Sequence, residues 1–119
     1  MSMKATVRQV NSVSVVDLSG RITLGEGCSQ LRELIRDLLN KGHKNMLLNL
    51  AEVSYIDSSG IGELVSGFTA VSNKGGQLKL LNLTKKVHDL LQITKLLTVF
   101  DVHDDEAKAI ASFDKAARA

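Results

Sequence analysis

Apolar and polar positions along the chain change their period several times, and each change marks an element. Residues 4–10 alternate in strand fashion. Val13, Val15, Val16 and Leu18 form a second strand that is expected to end at Ser19-Gly20, with Asn11-Ser12 as a short hairpin connection. Thr23 and Glu26 stand at capping-box spacing and open a first helix. Its apolar stripe is Leu31, Leu34, Ile35, Leu38 and Leu39, its other side carries Arg32, Glu33, Arg36 and Asp37, and Gly42 suits its C-terminus. A β-type run covers residues 45–56 and is nearly all apolar over 46–50, as expected of a strand covered on both faces. After Asp57-Ser58-Ser59-Gly60 a second helix buries Ile61, Leu64, Val65, Phe68 and Val71, and Gly75-Gly76 ends it. Residues 77–81 form another strand, Thr84 caps a third helix carrying Val87, Leu90 and Leu91, and residues 97–102 read as the last strand. Asp104, Asp105 and Glu106 open a terminal helix whose last turns hold Lys115 and Arg118, a charge order that complements the helix dipole.

The order β-β-α-β-α-β-α-β-α predicts an α/β fold: a mixed, mostly parallel sheet flanked by helices. The chain has 119 residues and no proline, shows no repeat or linker signal, and reads as a single domain over residues 1–119. With 44% hydrophobic residues it can build a core without staples. Cys28 is the only cysteine, so an internal disulfide is impossible, which fits a reducing compartment. No apolar stretch approaches the roughly 20 residues of a membrane span, and the N-terminus lacks the apolar core of a signal peptide, so a cytoplasmic protein is expected. Fifteen basic and thirteen acidic residues are interspersed, with three Phe, one Tyr and no Trp. A nucleic-acid surface calls for a basic stripe and stacking aromatics, and neither is evident.

The candidate chemistry lies at residues 55–62, Tyr-Ile-Asp-Ser-Ser-Gly-Ile-Gly. Two serines sit where a strand turns into a helix, and free N–H groups and the positive end of the helix dipole favour an anion there. A serine so placed is chemically plain unless a phosphate is put on it, so the stretch reads as a switch. Opposite the apolar stripe of the second helix lie Ser59, Gly62, Ser66, Thr69, Ala70 and Asn73, all short. Gly62 and Gly67 each cost about 1 kcal/mol relative to alanine within a helix. A smooth face that lets a partner backbone approach would offset that cost.

Order and motif together resemble the STAS domain, in particular stand-alone bacterial anti-sigma factor antagonists. The resemblance rests on Leu18-Ser19-Gly20-Arg21-Ile22, Leu47-Leu48-Asn49-Leu50, Asp57-Ser58-Ser59-Gly60-Ile61-Gly62 and Gly75-Gly76-Gln77-Leu78. It implies that Ser58 is the phosphoacceptor of a partner that is both anti-sigma factor and serine kinase. The unphosphorylated chain would bind that partner and free sigma, and a metal-dependent serine phosphatase would reverse the modification. The chain would be a substrate and binding module rather than an enzyme, with no cofactor or metal and as a monomer or weak dimer. Asp57, Ser59, Gly60, Gly62 and Ser66 would shape the switch loop and docking surface, with the Gly20–Thr23 loop, through Arg21 and Thr23, as a further contact. Many members carry Gly-Glu-Leu-Asp where this chain has Gly20-Arg21-Ile22-Thr23, and a glycine after the third helix where it has Thr94-Lys95. The first departure implies an altered charge pairing with the kinase, and the second an altered loop.

Other readings carry less. Ordinary helix capping explains Asp57-Ser58-Ser59 locally and is compatible with phosphorylation. A receiver domain would place its phosphoacceptor at Asp57 but needs an acidic pair after the first strand, where Asp17 stands alone. Gly60-Ile61-Gly62 is half of a nucleotide-binding fingerprint whose third glycine is replaced by Val65, leaving weak nucleotide binding as an alternative. A STAS module serving another regulator or a small ligand is the other alternative. His43, His88 and His103 lie on different elements without metal-ligand spacing, and Cys28 reads as a small filler.

Overall fold

The computed structural model describes residues 3–118, with side chains up to Phe113, so Lys115 and Arg118 lie outside the described side chains. In chain order the elements are β1 (Met3–Val10), β2 (Val13–Ile22), α1 (Glu26–Asn40), β3 (Asn45–Ile56), α2 (Ser58–Asn73), β4 (Gln77–Leu81), α3 (Lys85–Ile93), β5 (Val102–His103) and α4 (Glu106–Arg118). This is the order expected from the sequence. The strands form one sheet in the order β1-β2-β3-β4-β5. The β1–β2 hairpin is antiparallel and every other pairing is parallel.

Alternation on the strands sorts their side chains into two cores. Val16, Leu18, Met46, Leu48, Leu78 and Leu80 pack under α1, α2 and α3. Val13, Val15, Leu47 and Leu81 pack under Ala109, Ile110 and Phe113 of α4. The central strand β3 therefore buries apolar side chains on both faces at Met46, Leu47, Leu48 and Leu50, with the polar Asn49 half-buried between them. Beyond Leu50 the alternation breaks: the β2–β3 register shifts between Asp17 and Ser19 and again between Gly20 and Arg21. In each shift β3 runs one residue longer than β2, so its buried positions become Leu50, Val53 and Ile56.

Three sequence expectations need correction. The second strand does not end at Ser19-Gly20 but continues to Ile22, because Gly20 takes a φ of +94° at the bulge and the chain resumes pairing with β3. Thr23 does not cap α1: the N-cap is Gly25, with no side-chain cap bond. The last strand is not residues 97–102 but only Val102–His103. The N–H groups of Leu96 and Leu97 both bond to the Leu91 carbonyl, and Val99 N–H bonds to the Leu96 carbonyl, so this run closes α3 and then turns. Phe100 drops into the core, edge-on to Phe68 at 5.5 Å between centroids.

The loop after α3 keeps a glycine-type closure without a glycine. Lys95 N–H bonds to the Gln92 carbonyl at 3.1 Å and Leu96 N–H to the Leu91 carbonyl at 2.8 Å, with Lys95 at φ +62°. Gly42 and Gly75 end α1 and α2 in the same way. A side chain in this left-handed region costs roughly 1–2 kcal/mol, partly offset by the greater unfolded-state freedom of glycine. Lys95→Gly is expected to raise the unfolding free energy by about 0.5–1 kcal/mol in a urea titration.

Candidate functional site

The ends of β2 and β3 build the site. Arg21 pairs with Tyr55 and Ile22 with Ile56, and Asp57 N–H reaches the Ile22 carbonyl at 3.3 Å. The next residue, Ser58, is the first of α2. This abrupt change of direction depends on Gly60. A Cβ there would collide with the Ile22 carbonyl oxygen and lie 2.6 Å from Ile56 Cγ1. The first turn of α2 is thus pressed directly onto the last peptide of β2.

Asp57 is the N-cap. Its carboxylate accepts the Gly60 N–H at 2.8 Å and the Leu24 N–H at 3.0 Å, so one side chain both caps α2 and ties down the loop that precedes α1. The Leu24 N–H, then the Gly60 N–H, hold the Asp57 carboxyl below the usual carboxylate range. Asp17 is lowered too, first by Arg8, with Asn49 assisting. Depressed folded-state pKa values mean that both contributions are complete above the unfolded value, about pH 4, and are lost as pH falls through the folded values. Asp57→Asn is expected to make the acid limb of the stability curve shallower, measured as melting temperature between about pH 2 and 5.

The site residues expected from sequence are all near this junction, but they divide between two surfaces. Ser58 is exposed and, with Tyr55, Asp57, Lys86 and Asp89, lines a groove of about 520 Å³ against α3. Ser59, Gly62 and Ser66 line a different cleft, shared with Leu24 and Cys28 of the α1 side. Gly60 is buried between them. Arg21 is not in a loop: it is the penultimate residue of β2, with its guanidinium 5.1 Å from the centre of the Tyr55 ring. Thr23 is half-buried, and its carbonyl accepts the Cys28 N–H at 3.1 Å. Leu24 is the site residue that sequence reasoning missed: it is 78% exposed, and its backbone is pinned by Asp57. An apolar residue outside every periodic stripe was the available signal.

Two of the remaining glycine and anion expectations change. Gly62 opens onto empty space, so no internal packing explains it. At Gly67 a Cβ would lie 2.6 Å from Ile35 Cδ1, so that glycine serves the α1–α2 contact rather than a docking face. Of the helix-end N–H groups expected to favour an anion, that of Gly60 is occupied by the Asp57 carboxylate. The same negative group stands where a nucleotide phosphate would sit in a glycine-fingerprint site.

Other candidate chemistry resolves into structure. Asp17 is held in an ion-pair network: Arg8 bonds it at 2.7 and 3.1 Å and Asn49 at 2.9 Å, and Arg8 also holds Glu106. Asp105 caps α4 through the Lys108 N–H at 3.0 Å, while Glu106 turns to Arg8. Ser112, His103 and Asp101 meet, but the same ring nitrogen, Nε2, faces both Ser112 and Asp101, so no relay runs through the imidazole. Ser112 donates to the Ala109 carbonyl and accepts from the buried Lys79, which places it in the packing of α4. Cys28 is buried, and burial pushes its thiol up, which suits a filler.

The sequence profile of the STAS domain matches residues 4–109. The chain belongs to the STAS domain family. Among curated STAS relatives, the anti-sigma-B factor antagonist of Bacillus subtilis (strain 168) is 33% identical over 102 residues, which is 86% of this chain and 92% of that protein. A crystal structure of an anti-sigma factor antagonist from Mycobacterium paratuberculosis superposes with a TM-score of 0.83 over 94% of each chain, at 18% identity. The Bacillus cell fate determinant SpoIIAA, in its phosphorylated form, superposes at 0.72 over 92% of this chain and 98% of its own, at 22% identity. At such identities the two structures establish the fold alone. The STAS fold expected from the sequence is the one observed, a five-stranded mixed sheet flanked by helices.

Proposed function

We propose that this STAS protein is an anti-sigma factor antagonist whose docking is switched by phosphorylation of Ser58. The unphosphorylated chain binds an anti-sigma factor that is also a serine kinase and thereby frees sigma. The kinase phosphorylates Ser58 and releases the chain, and a serine phosphatase restores it. The observation that carries this reading is the setting of Ser58: an exposed hydroxyl on the first residue of α2, beside the Asp57 cap and above the buried Gly60. The relative in Bacillus subtilis named as an anti-sigma-B factor antagonist supports it, as does the related fold of SpoIIAA in a phosphorylated form.

Phosphorylation adds about −1.5 to −2 charge and three acceptor oxygens. With the Gly60 N–H already taken by Asp57, the phosphate has one fewer donor at the helix end and stands next to a carboxylate. Its effect therefore falls on whatever covers Ser58, and the fold itself need not rearrange. The protein acts as substrate and binding partner, without a cofactor.

The test is to incubate the chain with the anti-sigma factor kinase and ATP and to map the product by mass spectrometry. A single base-resistant phosphate on Ser58 is expected, absent from Ser58→Ala, which keeps full affinity for the kinase. Phosphate on another residue, or none, would refute the proposal, and a base-labile acyl phosphate on Asp57 would move the chemistry next door. Gly62→Leu is expected to fold normally, since its side chain would enter open space, and to lose most kinase binding in calorimetric titration.

A further inference from the structure

The outer surface between α1 and α2 carries a groove made of two adjoining clefts. A cleft of about 520 Å³ at the switch end and another of about 400 Å³ beyond it share Arg32, Glu63 and Ser66 in their walls. Arg32 and Glu63 are paired with each other across the groove. In its far half the lining includes the apolar Ile35, Leu39 and Ala70. Exposed Leu24 stands at the mouth, next to the switch.

Charge is segregated around α1. Arg36 and Lys74 line the groove, are exposed, and have no carboxylate within ion-pair distance among the described residues. The acidic Glu33 and Asp37 lie on the other flank of the helix, in a separate cleft with Met3 and Ala5 of β1. The groove thus offers apolar lining bordered by two uncompensated cations. That combination selects a ligand that is apolar on one side and acidic along its edge. A second copy of this chain presenting its exposed Ile93 fits less well, because one carboxylate near it, Asp89, is already paired with Lys85, and Lys86 and Lys95 would bring cations to Arg36 and Lys74.

We infer that the groove receives an acidic amphipathic segment of the same partner that covers Ser58. Its apolar side chains meet Ile35, Leu39 and Ala70, and its carboxylates meet Arg36 and Lys74. The inference rests on the partner-switch reading and extends the partner's footprint along α2 from Ser58 to Lys74, roughly 24 Å of helix.

The test compares R36E/K74E with the unaltered chain in calorimetric titrations of the anti-sigma factor kinase at low and high salt. The double variant is expected to bind about tenfold to thirtyfold more weakly and to lose most of the salt dependence. Its melting temperature should not change, and R36Q/K74Q should fall between. Unchanged affinity for R36E/K74E, with Ser58→Asp still abolishing binding, would overturn the groove assignment and leave the switch standing. A shift in a concentration-dependent dimer seen by sedimentation, with kinase affinity unaltered, would assign the groove to a second copy instead. If Ser58→Asp binds as tightly as the unaltered chain, the switch falls and this inference with it.

Discussion

Ser58→Asp is expected to bind the anti-sigma factor kinase about a thousandfold more weakly than the unaltered chain. The side chain is exposed in the free protein, so the carboxylate is fully hydrated and the fold bears little cost. Docking would strip that water. An unpaired charge buried at an interface costs several kcal/mol, and a net penalty of about 4 kcal/mol corresponds to three decades of affinity. Compensation from the helix end is limited, because the Asp57 carboxylate already accepts the Gly60 N–H and adds repulsion of its own. Ser58→Ala introduces no charge and should retain full affinity, and Ser58→Asn, equally bulky but neutral, should lose at most about tenfold. Isothermal titration of the three variants separates charge from size. Comparable losses for Asp and Asn would make the switch steric and contradict the electrostatic mechanism.

Gly60→Ala is expected to be the most damaging single methyl group near the site. The added carbon would collide with the Ile22 carbonyl oxygen and crowd Ile56 Cγ1, and backbone cannot yield as a flexible side chain does. Overpacking of this kind costs about 2–3 kcal/mol, roughly a 10 °C fall in melting temperature for a domain of this size. Relief requires α2 to lift from β2, which also displaces Ser58 and strains both hydrogen bonds to Asp57, so kinase binding should fall beyond what the unfolded fraction explains. Gly62→Ala is the control: nothing lies within 4 Å of its Cβ, so it should gain up to about 1 kcal/mol of helix propensity. Circular-dichroism melts of the two variants give opposite signs if the close approach is as described. Equal effects would mean that the α2–β2 contact is looser than these distances indicate.

Much of this was legible in the residues. The element order followed from hydrophobic period, and the Asp57 cap followed from residue type, since a short acidic side chain before two serines and a glycine satisfies the orphan N–H groups of a helix. The errors have local physical causes. Thr23 and Glu26 satisfy the capping-box spacing, yet the helix begins after Gly25, because Gly27 must pass close to the Arg21 carbonyl and sets where α1 can start. Residues 97–102 read as a strand, but Leu97 and Phe100 turn into the core beside Phe68, which one-dimensional periodicity cannot distinguish from pairing. Gly67 was assigned to a docking face on composition, and only the position of Ile35 reveals that it serves internal packing.

The sequence alone determined the α/β class, the order of elements and the place of the strand-to-helix junction at Asp57-Ser58, because these depend on interactions within a few residues: alternation, caps and helix-ending glycines. The tertiary structure decided what surrounds Ser58. The Asp57–Leu24 bond spans 33 positions, the β3 bulges bring Tyr55 beside Arg21, and the groove with Arg36 and Lys74 exists only once α1 lies against α2. Contacts between residues far apart in the chain carry no local period, so they become visible only when the sheet has set the distances.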